Sequence, residues 1–134
     1  MRLEVKFGIL ISTLLCMATV SAHAMEFNRT VRSGVTARMH HYRSWGRNCE
    51  GNGGMVKLVT KPQHGQLTTR TVDSRIEINR FAAGGKTECT GKPIKAFEVN
   101  YRSNPGFRGT DAFTIEMVTG RGSRDVDNYT VNVQ

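Results

Sequence analysis

The sequence lacks the short motifs that mark most hydrolases, metalloenzymes and nucleotide-binding proteins. Its 134 residues include three cysteines and four histidines, but no C-x-x-C pair and no H-E-x-x-H motif. Ser123 has Arg121 and Asp125 where a nucleophile elbow needs glycines. The GGKT of residues 84–87 has Arg80 where a phosphate loop needs its first glycine. We therefore expect neither catalysis nor a cofactor.

The sequence also lacks amphipathic helices, because no stretch carries an apolar stripe at helical spacing. Apolar and polar residues instead alternate with the period of a strand that buries one face. The alternation is clearest at residues 35–39, 97–101, 113–117 and 129–133, and weaker at 55–60, 67–72 and 75–81. Segments rich in Gly, Pro and Asn separate these stretches. They predict one all-β domain, an antiparallel sandwich of about seven strands.

Long hydrophobic runs are missing after the first 24 residues. In that segment Arg2 and Lys6 precede a single apolar run, and the small-x-small tripeptide AHA follows at residues 22–24. This order is typical of a secretory signal peptide, and the run is too short to span a bilayer. We predict that residues 1–24 are a signal peptide. Residues 25–134 would then form a domain in the bacterial periplasm, with no transmembrane segment after cleavage.

Cysteine is scarce as well. Cys16 lies in the predicted signal peptide, which leaves Cys49 and Cys89. In an oxidising compartment an even pair is first interpreted as a disulfide, and two cysteines allow one pairing within the chain. We predict a Cys49–Cys89 bridge. It would close a loop of about 40 residues and stabilise the fold by roughly 3 to 4 kcal/mol in the chain-entropy model.

Three stretches in order carry a family likeness: KPQHGQL from residue 61, FEVNYRSNPGFRGTDAFTIE from residue 97, and the closing YTVNV from residue 129. Together they resemble the bacterial Ig-like and cadherin-like repeat families, and small secreted single-domain proteins similar to them. The resemblance implies an Ig-like sandwich in which Asp111 accepts backbone N–H bonds and His64 lies in a turn. The structural corner that it implies consists of Pro62, Gly65, Tyr101, Gly106, Phe107, Gly109 and Asp111.

Support for a bound metal is weak. Many cadherin-like members continue with an Asp-rich turn, whereas this chain has TGRGSRD, whose Arg121 and Arg124 supply cations where Ca²⁺ needs oxygens. His40 and His41 are adjacent, and neighbours on a strand point to opposite faces. The alternation predicts His41 on the core side and His40 in solvent. A small metalloenzyme or hydrolase built on His40, His41 or His64 is therefore the least favoured alternative.

Acidic residues are absent between residues 29 and 47, where five arginines occur with Tyr42 and Trp45 among them. Without residues 1–24, the 19 basic and 11 acidic side chains become 17 and 10, a net charge of +7. Arginines beside exposed aromatics suit phosphates, carboxylates and sugars. A candidate anion site therefore comprises Arg38, Arg43, Trp45 and Arg47. The alternative is a basic, solubilising surface with Trp45 capping the core.

These observations favour a secreted or periplasmic, non-catalytic binding module. One alternative is a basic protein that binds an anion or an envelope polymer; the other is the histidine-based enzyme. The expected partner is an envelope protein or an anionic polymer, with no specific nucleic acid.

Mass measurement tests the predicted signal peptide directly. The intact mass of exported protein is expected to correspond to a chain that begins at Met25, because Ala24 completes the cleavage signal. Recovery of the full-length chain from the soluble exported fraction would contradict this prediction.

Overall fold

The computed structural model describes residues 24–77, 84–85 and 87–134, and the regular secondary structure of that part of the chain is entirely β-strand. Seven strands follow one another: β1 (Ala24–Val31), β2 (Ala37–Tyr42), β3 (Gly54–Thr60), β4 (Gly65–Arg75), β5 (Pro93–Ser103), β6 (Gly109–Thr119) and β7 (Arg124–Val133). The prediction of an all-β domain with about seven strands is confirmed.

The strands form two sheets, with the orders β1-β7-β6-β3 and β2-β5-β4. β4 pairs with the next strand, β5, and β6 pairs with β7, whereas the connections from β1 to β2, β2 to β3, β3 to β4 and β5 to β6 pass from one sheet to the other. The order β7-β6-β3 opposite β2-β5-β4 is that of immunoglobulin-type sandwiches. The predicted sandwich is therefore confirmed.

β1 departs from the antiparallel prediction. It pairs in parallel with β7 along its whole length, from Ala24 opposite Val126 to Val31 opposite Val133. The two strands are far apart in sequence, so no hairpin forces them to run in opposite directions. The alternation of residues did not reveal β1 because Val31 is its one buried residue. An edge strand that is mostly exposed carries little periodic signal.

The predicted strand at residues 75–81 is not a separate element over its described part. β4 runs without interruption from Gly65 to Arg75 and pairs with β5 along that length. It therefore contains both the predicted strand at 67–72 and the start of the next one. Residues 78–81 lie outside the described residues.

The core lies between the two sheets and is built from the inward residues of the central strands. Tyr101, Phe113, Tyr129 and Phe27 form a row of nearly parallel rings, with neighbouring centroids 5.9, 4.7 and 4.9 Å apart. Tyr101, Phe113 and Tyr129 are fully buried, and burial of each such ring stabilises the fold by roughly 1.5 to 3 kcal/mol. The residues that alternate in β5, β6 and β7 supply this core, as the sequence pattern predicts.

A β-bulge in β2 reverses the predicted orientation of the histidine pair. Arg38 pairs with Asn100 of β5 and His40 pairs with Val99, so Met39 is the inserted residue. A bulge places two successive side chains on one face and inverts the alternation after it. Met39 and His40 both face the core, and His41 faces outward beside Arg43. The prediction that His41 is inside and His40 in solvent is wrong.

The Cys49–Cys89 disulfide is present, with the two Cα atoms 5.0 Å apart. It belongs to a second, smaller apolar cluster with Ile76 and Ile94, against which Trp45 packs. The bridge ties the β2–β3 connection to the segment that precedes β5. The predicted disulfide is confirmed, and its sequence separation of 40 residues places its stabilising effect at roughly 3 to 4 kcal/mol.

Candidate functional site

Three turns meet at the end of the sandwich that lies opposite the disulfide. They are the β1–β2 turn, the β3–β4 turn and the β5–β6 turn. Gly34 N donates a 2.8 Å hydrogen bond to Ser103 Oγ, which joins the first turn to the end of β5. Asn104 N donates a 2.8 Å bond to the carbonyl oxygen of His64, which joins the third turn to the second. The three turns therefore form one continuous surface.

The Asp111 carboxylate holds this surface together from beneath. Asp111 is 4% exposed and accepts four hydrogen bonds. Oδ1 accepts Gln63 N and Ala112 N, both at 2.9 Å, and Oδ2 accepts His64 N at 3.0 Å and Tyr101 Oη at 2.8 Å. Burial, together with this last bond, raises the pKa of Tyr101 above its usual value, so the phenol stays a neutral donor. One carboxylate thus connects β5, β6 and the β3–β4 turn.

Other residues of the predicted corner are restricted by packing or by backbone conformation. A Cβ at Gly65 would lie 2.4 Å from the Tyr101 ring, so no side chain fits there. Gly106 adopts a positive φ of 79°, which side-chain-bearing residues rarely adopt. The His64 ring lies on the Phe107 ring, with centroids 4.2 Å apart and an interplanar angle of 10°. His64 therefore combines an exposed, stacked ring with a backbone N–H that fixes the corner.

The charged side chains on the surface of the three turns are all positive. Residues 32–36, 61–64 and 102–108, which we call the basic end, contain no Asp or Glu. Their four cations are exposed, and none forms a salt bridge within the described part of the chain: Arg32, Lys61, Arg102 and Arg108. Arg102 Nε donates a 2.7 Å bond to the carbonyl oxygen of Gly34, which holds its guanidinium over the first turn.

The arginines of the predicted anion site differ in their surroundings from those of the basic end. Arg38 lies 3.8 Å from Glu98, and Arg70 lies 2.6 Å from the same carboxylate. Hydrogen bonds from Asn100 and Arg70 hold the pKa of Glu98 below its ordinary value, so this carboxylate stays charged and continues to pair both arginines. Arg38 therefore has an acidic neighbour already.

Arg43 is paired as well. Its guanidinium makes two bonds to Glu77, at 3.0 and 2.8 Å, and a third to Ser74 Oγ at 3.1 Å. Trp45 packs against the disulfide cluster, which agrees with the alternative prediction that it caps apolar residues. His40 does not share a solvent face with Arg38, because the bulge turns it inward. An anion site at Arg38, Arg43, Trp45 and Arg47 stays a prediction, without a convergent geometry to support it.

A buried polar cluster lies between the sheets near the disulfide end. Tyr42 Oη donates to the Asp127 carboxylate, and Tyr129 Oη lies 3.1 Å from His40 Nδ1. Burial lowers the pKa of His40 and raises the pKa of Tyr129 to about 12, so both rings stay neutral near pH 7. These contacts pair the polar atoms of the core with one another, which explains how they are tolerated there.

Within the described residues there is no group of three or more His, Cys, Asp or Glu side chains that could hold a metal ion. His40 and His41 face opposite sides of their sheet, and His64 lies at the basic end. The described strands and turns also include no helix of the length and apolarity needed to cross a membrane.

Comparison with known proteins gives no family assignment. The chain matches no family model, no curated protein and no solved structure.

Replacement of Asp111 by alanine tests the role of the corner. The change leaves the N–H groups of Gln63 and His64 and the hydroxyl of Tyr101 without an acceptor, so we expect a loss of about 3 to 5 kcal/mol in unfolding free energy. Tyr101→Phe removes one of these donors and should cost about 1 kcal/mol. Urea unfolding measures both. A loss of less than about 1 kcal/mol for Asp111→Ala would contradict the assigned role.

Proposed function

We propose that this chain is an exported, non-catalytic binding domain of the bacterial Ig-like type, and that its basic end binds an anionic envelope polymer. The observation that carries the proposal is the set of four exposed cations on three adjoining turns that contain no acidic side chain. Six other cations of the described chain lie within 4.0 Å of a carboxylate: Arg38, Arg43, Lys57, Arg70, Lys95 and Arg124.

An unpaired set of cations favours an anionic ligand for two reasons. Exposed charges of one sign create a local positive potential, which raises the concentration of anions near the surface. Arginine also presents a planar fork of N–H groups, which matches the geometry of phosphate and carboxylate. The bond from Arg102 to Gly34 orients one of these forks before any ligand arrives, which lowers the entropic cost of binding.

The spread of the cations favours a polymer over a small anion. Lys61 belongs to one turn, Arg32 to a second, and Arg102 and Arg108 flank a third. A ligand with repeated negative groups can contact several of these turns at once, so that many weak contacts add together. The exposed His64 ring on Phe107 adds a flat surface on which a sugar ring can lie.

Binding of labelled long-chain polyphosphate, measured by fluorescence anisotropy, tests the proposal. The variant in which Arg32, Lys61, Arg102 and Arg108 are alanine is expected to bind about tenfold or more weakly, since each exposed ion contact contributes roughly 0.2 to 1 kcal/mol. Binding by the unchanged protein should weaken steeply as salt is added.

The matched control removes the same amount of charge outside the basic end. In it, Arg29, Arg75, Lys92 and Arg121 are replaced by alanine, and polyphosphate binding should stay within about twofold of the unchanged protein. Equal weakening in both variants would show that net charge alone governs binding. Tighter binding to a single-stranded oligonucleotide than to polyphosphate would contradict the expected class of polymer.

A further inference from the structure

β3 is an edge strand whose outer side is unpaired. It is the last strand of the four-stranded sheet, and among the described strands it pairs with β6. The pairing is regular from Gly54 opposite Thr119 to Leu58 opposite Ile115, and the register shifts after that. On its outer side, alternate N–H and C=O groups of this regular stretch face solvent, and such a row is a template for another strand.

Exposed apolar side chains concentrate on this strand. Among the described residues five large apolar side chains are exposed, and three of them lie on β3: Met55 at 52%, Leu58 at 42% and Val59 at 59%. Single exposed apolar residues are ordinary on a protein surface, but a group on one unpaired edge marks an interaction site.

An apolar groove opens beside the same edge. It has a volume of about 180 Å³ and lies where the edges of β3 and β4 face each other. Its lining consists of Val56 and Leu58 from β3, Leu67 and Thr69 from β4, and Val99 and Ile115 beneath them. A strand added to β3 would place every second side chain over this groove, because side chains alternate between the two faces of a sheet.

The charge around the edge limits the choice of partner. Lys57 is half exposed on β3, and its cross-strand neighbour Glu116, 4.0 Å away, also pairs with Arg124 at 3.1 Å, so this face carries two cations for one carboxylate. A second copy of β3 would bring the same excess of positive charge to this face. An acidic segment offers the opposite charge on the face that carries Lys57, and cross-strand pairs of opposite charge are favourable.

We propose that β3 accepts an extended segment of a partner protein as an additional strand, with apolar residues at alternate positions over the groove and acidic residues between them. The backbone of β3 supplies the hydrogen bonds, the groove selects apolar side chains, and Lys57 selects acidic ones. This surface is separate from the basic end and does not depend on the function proposed for it.

A fluorescent nine-residue peptide of alternating valine and glutamate is the probe. The unchanged domain should bind it saturably, and Leu58→Glu should weaken binding about tenfold or more, because a carboxylate enters the apolar groove and repels the peptide. Met25→Glu is the matched control: Met25 is 51% exposed on β1, at the opposite edge of the same sheet, and this variant should bind as the unchanged domain does.

Two further peptides test whether the backbone forms the contact. One carries N-methyl groups on the valines and the other on the glutamates. In a strand, alternate N–H groups point to the same side, so one of the two peptides should lose binding and the other should keep it. This comparison uses the unchanged domain and does not depend on the folding of a variant.

Several outcomes would overturn the proposal. They are no binding to the unchanged domain, unchanged binding by Leu58→Glu, and equal binding of both methylated peptides. Sedimentation that shows a dimer dispersed by Leu58→Glu would assign the edge to a second copy of the chain instead.

Discussion

The carboxylate of Asp111 determines how one end of the molecule is arranged. It accepts two backbone N–H groups from the β3–β4 turn, one from its own strand, and the hydroxyl of Tyr101 in the core. A buried carboxylate is tolerated when hydrogen-bond donors satisfy its oxygens. Here all four donors belong to β5, β6 and the β3–β4 turn. The β3–β4 turn, and with it His64 and Lys61, therefore keeps a fixed position beside the other turns.

The two proposed surfaces use different physical forces on one rigid frame. At the basic end, cations on three turns act through electrostatics and hydrogen bonding, and salt weakens such contacts. At β3, backbone pairing and apolar contact carry the interaction, and salt affects these less. The disulfide joins the β2–β3 connection to the segment before β5 at one end, and the bond from Tyr101 to Asp111 joins the two sheets at the other.

Sequence patterns predicted the central strands because their two faces differ. β5, β6 and β7 each bury one face, so their apolar residues alternate visibly. β1 shows no such alternation because it is mostly exposed, and its parallel pairing with β7 depends on strand order, which periodicity does not report. In β2 the single inserted residue Met39 was enough to exchange the sides of His40 and His41. A local bulge of this kind has no reliable signal in one sequence.

The residues that form the candidate site were likewise not predictable from sequence periodicity. The arginines at 38 and 43 are close in sequence, but the fold pairs each with a glutamate from a later segment, Glu98 or Glu77. The cations of the basic end come from three turns distant in sequence, and the strand order alone brings them together. The usable signal is the lack of Asp and Glu in all three turns, which becomes visible once the turns are assigned to one end. The most direct test of the account is the map of backbone amide chemical shifts when the isotope-labelled domain is titrated with polyphosphate. We expect the changes to concentrate in residues 32–36, 61–64 and 102–108; changes centred on residues 38–47, or spread evenly over the surface, would contradict it.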